Sequence, residues 1–324
     1  MKNFIHMNAM TLDEAVTVMQ RYGKRAWLMA GGTDLLGKMK DEIMPDYPEV
    51  LVNIKTIPGL DFIDFNKDFI TIGALTRLED IARNEYVNRY CFALAQAARR
   101  TASTHLREMG TIGGNICQDI RCWYYRNPNN RFPCLRKGGG RCYAIDGDNR
   151  YHSIFGGSVE QGCYAVHPSD TAPALIALDA VIKTTKRSIK AGDLFAVSPR
   201  KTTIIDHDEI VTAIEVPLTE SRSNFLKFSL RKTIDFPIVN CAVALTLSGN
   251  QVKSARICLN AVYVVPYRVQ AAEGALIGKG LDEAVADKAA TLGVSAARPM
   301  SCNAYMVNIA RVLIKRTVLG CLRD

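Results

Sequence analysis

Apolar positions along the first half of the chain change period repeatedly. Thr11-Leu-Asp-Glu14 has the form of a helix capping box, and Ala15, Val16, Val18 and Met19 give the following helix one apolar face that ends near Tyr22. Residues 26–29 predict a short buried strand that runs into Ala30-Gly-Gly-Thr-Asp-Leu-Leu36, a turn opening an amphipathic run to Lys40. Another strand is expected at 50–54, and 60–65 with 69–73 alternate as a hairpin about Asn66-Lys-Asp68. A second capping box, Thr76-Arg-Leu-Glu79, predicts a short helix. Residues 88–102 predict a longer one that buries Phe92, Leu94, Ala95 and Ala98.

Further on, 171–178 predict a buried helix with Pro173 tolerated in its first turn. Strands are expected at 180–184 and 209–216, and the polar, Pro-containing stretch 217–224 interrupts the pattern. Three amphipathic strands at 224–229, 238–247 and 254–261 precede helices at 271–277, 282–293 and 303–319. Strand and helix mix without the alternation of a doubly wound sheet, which predicts an α+β fold. The expected domains are 1–220 and 221–324, the second a small sheet followed by helices.

Composition narrows the function classes. At 324 residues with 48% hydrophobic and 23% charged positions, the chain can bury a sizeable core, and disorder is not expected. The net charge of +9 comes without a dense Lys/Arg run, so nucleic-acid binding is not expected. No signal-peptide pattern and no 18-residue apolar window is present, so a cytoplasmic protein away from the membrane is expected. Ten cysteines in a reducing compartment are poorly explained as disulfides, and Cys117, Cys122, Cys134, Cys142 and Cys163 fall in one segment.

Two loops share a recipe of hydroxyl residue and paired glycines: Ala30-Gly-Gly-Thr33 and Thr111-Ile-Gly-Gly-Asn115. Neither has GxGxxG or P-loop spacing. Backbone amides in such turns point at an anion, and two of them suit the two phosphates of a dinucleotide such as FAD. The cysteine spacing contains no C-x2-C pair, so a zinc knuckle fits poorly and the compact ferredoxin run is absent. Spacing by itself leaves metal ligation and unrelated buried thiols both open. Pro133, Gly138-Gly-Gly140 and Gly162 permit an irregular wrap, and Arg121, Arg131, Arg136, Lys137 and Arg141 would offset thiolate charge, which favours ligation. Cys91, Cys241, Cys258, Cys302 and Cys321 are expected to be packing residues on apolar faces.

Together with His167-Pro-Ser-Asp170, these loops make the chain resemble the FAD-binding medium subunit of the xanthine oxidase, or molybdenum hydroxylase, family. The resemblance covers essentially the whole chain, with 228–237 similar to the family's Lys/Arg-rich strand before Asp-Phe. It implies the two-part FAD-binding domain of the carbon monoxide dehydrogenase flavoprotein and vanillyl-alcohol oxidase type. It assigns Met29, Ala30, Gly31, Gly32, Thr33, Asp34, Leu35 and Leu36 with Thr111, Ile112, Gly113, Gly114 and Asn115 to the FAD pyrophosphate and ribityl. Ser103, Thr104 and Gln118 would lie near the flavin, Asp170 at the ribityl or adenosine side, and Lys227 at the isoalloxazine. His105 and His167 are expected to be structural, and no residue of this chain is expected to do substrate chemistry.

The segment 117–163 looks like an insertion similar to that of the 4-hydroxybenzoyl-CoA reductase β subunit and of a periplasmic aldehyde oxidoreductase subunit. That resemblance implies a [4Fe–4S] cluster on Cys122, Cys134, Cys142 and Cys163, with Cys117 left out. It further implies a large molybdopterin-binding subunit and a small two-[2Fe–2S] subunit, in a dimer of heterotrimers. Ferredoxin or flavodoxin would be the outside carrier in reductive dehydroxylation of 4-hydroxybenzoyl-CoA. Two alternatives are an aldehyde or N-heterocycle oxidising hydroxylase and, from another class, a zinc-stabilised scaffold without redox function.

Overall fold

In the computed structural model, which describes residues 1–157, 162–198 and 201–322, three sheets stand around a central cleft. The chain begins with β1 (Ile5–Asn8), α1 (Leu12–Tyr22), β2 (Ala26–Met29), α2 (Leu35–Lys40) and β3 (Val50–Asn53). These strands form a parallel sheet in the order β1-β3-β2. Parallel strands need crossovers, and α1 carries the chain from one edge strand, β1, to the other, β2, while α2 lies in the crossover from β2 to its neighbour β3. Its cap is reciprocal: Thr11 Oγ1 accepts from Glu14 N (3.1 Å), and Glu14 Oε2 accepts from Met10 N (2.8 Å).

Next come β4 (Ile63–Phe65), β5 (Phe69–Gly73), α3 (Leu78–Arg83), α4 (Glu85–Tyr90), α5 (Phe92–Arg99), α6 (Thr104–Arg107) and α7 (Ile112–Ile116). The hairpin turn is held by Asn66 Oδ1, which accepts from Asp68 N and Phe69 N. Two expectations fail in this stretch. Thr76 does not cap α3: Arg77 holds that position, and the Thr76 hydroxyl donates to the Phe62 carbonyl instead (2.9 Å). The single helix expected at 88–102 is two, because Cys91 leaves helical φ/ψ between α4 and α5. After α8 (Thr171–Ala177), strands β6 (Val181–Thr184), β7 (Ser188–Lys190) and β8 (Val211–Pro217) complete a five-stranded sheet in the order β4-β5-β8-β6-β7. Its core packs Ile70, Ile72, Ile182 and Ile214 against Leu94 of α5 and Leu175 of α8.

The C-terminal third is β9 (Arg222–Phe228), β10 (Val239–Ser248), β11 (Gln251–Asn260), β12 (Tyr267–Arg268), α9 (Gln270–Leu276), α10 (Glu283–Gly293) and α11 (Tyr305–Gly320). The sheet is antiparallel, β12-β11-β10-β9, and the helices bury Ile257, Leu259, Ile314 and Val318 against it. β12, two residues long, gives no periodic signal in the sequence. Residues 229–237, expected as a strand, form an irregular loop between β9 and β10.

Between α7 and α8, over a stretch of more than fifty residues, the described residues form no strand element and only two short 3-10 turns. Of the expected insertion 117–163, residues 158–161 lie outside the described residues. This segment is wedged onto the C-terminal unit. The buried Asn149 donates to Ser301 Oγ (3.0 Å) and accepts from Cys302 N (2.9 Å), Asn303 Nδ2 donates to the His152 carbonyl (2.9 Å), and Phe155 stacks on Tyr267 with ring centroids 4.1 Å apart. Cys91, Cys241, Cys258 and Cys321 are buried packing residues as expected, whereas Cys302 is exposed, because it lies in the turn ahead of α11 rather than on an apolar face. No helix among the described residues is long and apolar enough to cross a membrane.

Candidate functional site

A cavity of about 700 Å³ fills the cleft, and both glycine loops form its wall. The first contributes a continuous run from Ala30 to Leu35, the second Thr111, Gly113, Gly114 and Asn115, and Gln118 and Asp170 complete the predicted residues that line it. Met29 ends β2 immediately before the cavity, while Ile112 points into the core. Leu36 is largely exposed, Ser103 caps α6 through a bond from Leu106 N, and Thr104 begins that helix. Lys227 stands behind the wall: its Nζ donates to Asp170 Oδ2 at 2.6 Å and to the Arg100 carbonyl at 3.0 Å.

Local chemistry explains the shape of the loops. A Cβ on Gly31 would stand 2.0 Å from the Met109 carbonyl oxygen, so the two loops can touch only if this residue has no side chain. In the second loop, Thr111 Oγ1 accepts from Gly114 N (3.1 Å), while Gly113 N and Asn115 N donate to the Ala74 and Thr111 carbonyls, so these glycines bring the loop backbone close to the cavity with its amides already paired. Asn115 is fixed from the opposite side, its Oδ1 accepting from Ser169 Oγ (2.5 Å) and Thr171 Oγ1 (2.7 Å). The Ser-Asp motif thus acts on the glycine loop from fifty residues away. His167 is fully buried against Phe195, and burial pushes its imidazole down to about 3, so it is neutral at ordinary pH. His105 is exposed.

Charge at the site is organised by two carboxylates. Asp34 takes Arg121 Nη1 and Arg126 Nη2, each at 2.7 Å, and accepts from Asp119 N at 2.9 Å. Asp119 takes Lys38 Nζ at 2.8 Å and Arg136 Nη2 at 2.9 Å, and receives the Tyr125 hydroxyl proton bond. Burial opposes ionisation of both, yet Arg126 and Arg121 hold Asp34 below the usual carboxylate range, and Lys38 and Arg136 hold Asp119 far below it. Four cations (Lys38, Arg121, Arg126, Arg136) against two carboxylates leave two positive charges in excess. Glycines that a Cβ would crowd, with Lys38 and Arg121 of this cluster lining the cavity beside them, fit a pyrophosphate.

Sequence reasoning did not assign Lys38, Asp119 or the mouth of the cavity. The mouth carries Ile234, Asp235 and Phe236, with Arg121 lying over the Phe236 ring at 4.5 Å. Ile234 has φ +69°, rare for a β-branched residue, and its N–H donates to the Ala102 carbonyl (3.1 Å). The weak sequence signal for this loop is its density of polar residues between two apolar strands.

The four predicted cysteines meet at a second, small cavity. Cys122, Cys134, Cys142 and Cys163 all line it, together with Tyr124, Tyr125 and Tyr143. Cys117 opens into the large cavity instead. Among the described residues, no three His, Cys, Asp or Glu groups converge closely enough for a single metal ion. A Cβ on Gly139 would stand 1.8 Å from the Pro133 carbonyl oxygen, so the wrap around Cys134 depends on that glycine. Lys137 faces Cys134 and Cys122, and its buried Nζ has no hydrogen-bond partner. An ammonium without a hydrogen-bond partner beside Cys134 and Cys122 fits an anionic group held by the cysteines. Tyr125 and Asp119 join this cavity to the large one.

Residues 2–219 match the family model described as the FAD binding domain in molybdopterin dehydrogenase, and 224–320 match the CO dehydrogenase flavoprotein C-terminal domain. The chain is 33% identical to the aldehyde oxidoreductase FAD-binding subunit PaoB of Escherichia coli (strain K12), over 100% of this chain and 98% of that one. It is 27% identical to the glyceraldehyde dehydrogenase medium chain of Sulfolobus acidocaldarius, over 86% and 83% of the two chains. Among solved structures, a carbon monoxide dehydrogenase from Hydrogenophaga pseudoflava superposes with a TM-score of 0.78 at 24% identity, covering 99% of this chain and 98% of that one.

Proposed function

The chain belongs to the FAD-binding subunits of the molybdenum hydroxylase family, and from that premise we propose that it serves a complex oxidising aldehydes or N-heterocycles, as an electron-transfer subunit on the exit side. The observation that carries this reading is the 33% identity, over the full length of both chains, to an aldehyde oxidoreductase subunit. The dehydroxylation of 4-hydroxybenzoyl-CoA expected from the sequence gives way on the same ground. A zinc-stabilised scaffold without redox function is set aside by the flavoprotein family.

In this reading the domains are 1–220 and 221–324, and FAD lies along the large cavity. FAD, when bound, exchanges electrons in pairs or singly. The chain's own residues hold and orient it. The amides of Gly31 to Asp34 take the pyrophosphate, with Gly113 to Asn115 packing against it and the cations around Asp34 and Asp119 supporting its charge. Gln118 lies near the flavin, and Asp170 binds on the ribityl or adenosine side, anchored by Lys227 and Asn240, whose bonds only partly offset the burial that raises its pKa above the usual carboxylate value. Lys227 reaches the flavin site through Asp170. Ser103 and Thr104 shape the wall through α6.

Cys122, Cys134, Cys142 and Cys163 would hold a [4Fe–4S] cluster, which moves one electron at a time. Support comes from four cysteines lining one cavity and the orphaned Lys137 ammonium. Relatives named as medium chains imply larger and smaller partners, here a molybdopterin-binding subunit and an iron–sulfur subunit in a dimer of heterotrimers. The cluster and the net charge of +9 suit an acidic one-electron carrier such as ferredoxin.

Purified complex should show flavin bands near ~450 nm on a broad iron–sulfur shoulder. It should be bleached by aromatic or aliphatic aldehydes or by N-heterocycles. A complex indifferent to all of these but reoxidised by 4-hydroxybenzoyl-CoA would reverse the direction proposed.

A further inference from the structure

Two groups beside the cysteine cavity, next to cysteines that line it, are not accounted for by the cluster ligands. The first is Lys137. Arg136 beside it is bound to Asp119, so its charge is already offset, but the Lys137 Nζ is buried without a hydrogen-bond partner and faces Cys134 and Cys122. It lies over the Tyr125 ring, 5.6 Å from the centroid, which supplies a cation with a weak neighbour and no counter-charge.

The second is His152, 1% exposed, whose Nε2 stands 3.2 Å from Cys122 Sγ. A sulfur bound to iron carries no proton and can only accept, so this contact requires the proton on Nε2. Nδ1 then bears the lone pair, and it has no hydrogen-bond partner. The ring is held by Trp123 and Tyr124, each with its centroid 6.0 Å away, and its backbone carbonyl by Asn303 of the C-terminal unit. A buried imidazole placed this firmly, with one nitrogen on a cysteine sulfur and the other unused, is oriented toward the sulfur.

We infer that Lys137 and His152 are positioning residues that raise the reduction potential of the group held by the four cysteines, an inference that rests on the cluster proposed above. One electron entering the cavity adds one negative charge next to Cys122 and Cys134. A cation and an N–H donor facing those sulfurs stabilise the reduced form more than the oxidised form, and burial keeps water from screening them. Loss of either group therefore lowers the potential, and loss of both lowers it further.

The test is a mediated redox titration of the purified complex followed by electron paramagnetic resonance, with iron and acid-labile sulfide counted on the same samples. Lys137→Met and His152→Leu are each expected to shift the oxidised-to-reduced ratio at fixed potential about tenfold, ~59 mV downward for one electron. Lys137→Arg and His152→Gln, which keep a cation and an N–H donor, should recover most of the shift. The flavin potential should not move. Full iron content with unchanged potentials in both variants overturns the inference and leaves the cluster standing. Wild-type complex without iron or sulfide overturns the cluster reading itself, and this inference with it. If His152→Leu loses its iron, the Lys137→Met and Lys137→Arg pair decides.

Discussion

Single atoms decide whether the flavin cavity exists. Gly31→Ala sets a methyl group against the Met109 carbonyl, and the backbone cannot yield without separating the two loops. The variant is expected to fold but to retain less than about a tenth of the flavin, a loss of roughly 1.4 kcal/mol or more in binding, read from FAD per protein after gel filtration. His167 makes the pH dependence at this scale. Its folded-state value near 3 lies below the unfolded value, so the unfolded chain takes up a proton that the native site refuses. Stability is unaffected above about pH 6.5 and falls as the pH drops from there toward 3, by at most ~1.4 kcal/mol per unit. Replacing His167 with Gln should flatten this part of the curve of melting temperature against pH, and an unchanged slope would count against it. The paired glycines and the Ser-Asp motif were legible in the sequence because they are contiguous. The Asp119 hub was not, since Lys38, Tyr125 and Arg136 reach one carboxylate from separate parts of the chain.

At the scale of elements, the helix starts show what local sequence can specify. Thr11 caps α1 as its pattern predicts and Asp282 caps α10, whereas Thr76 fits the pattern of Thr11 and caps nothing. The Phe62 carbonyl offers its hydroxyl a partner across the hairpin, and the tertiary bond wins over the local one. Thr11→Ala should therefore cost about 1 kcal/mol in denaturant unfolding, with the loss confined to helix capping and no change in slope. Thr76→Ala should cost a similar amount by another route, as a lost tie between α3 and the β4–β5 hairpin. The insertion obeys neither helix nor strand period. Its course is set by Asn149, Phe155 and Gly139, whose partners are remote in sequence or depend on backbone approach, so periodicity predicted only that it would be irregular.

Across the whole molecule, the cavity joins units that the sequence divides. Asp170 precedes α8, yet its partners Lys227 and Asn240 lie on β9 and β10, so both sides of the cleft meet at one carboxylate. A ligand filling the cleft should stabilise the two sides together. Removing FAD is expected to lower a single cooperative transition, by about 2.7 kcal/mol relative to protein at a hundredfold excess over the dissociation constant. Calorimetry with and without added FAD measures this, and two separate transitions of which one ignores FAD would contradict it. The sequence alone determined most of the strands and helices, both glycine loops, the four cysteines and membership of a flavoprotein family, because each resides in a short run whose chemistry is local. Only the tertiary structure decided which cations neutralise Asp34 and Asp119, that Lys227 acts on Asp170, and that Lys137 and His152 turn toward the cysteines. Those facts depend on which remote side chains share a buried space, where an unpaired charge is costly, and no local pattern records that.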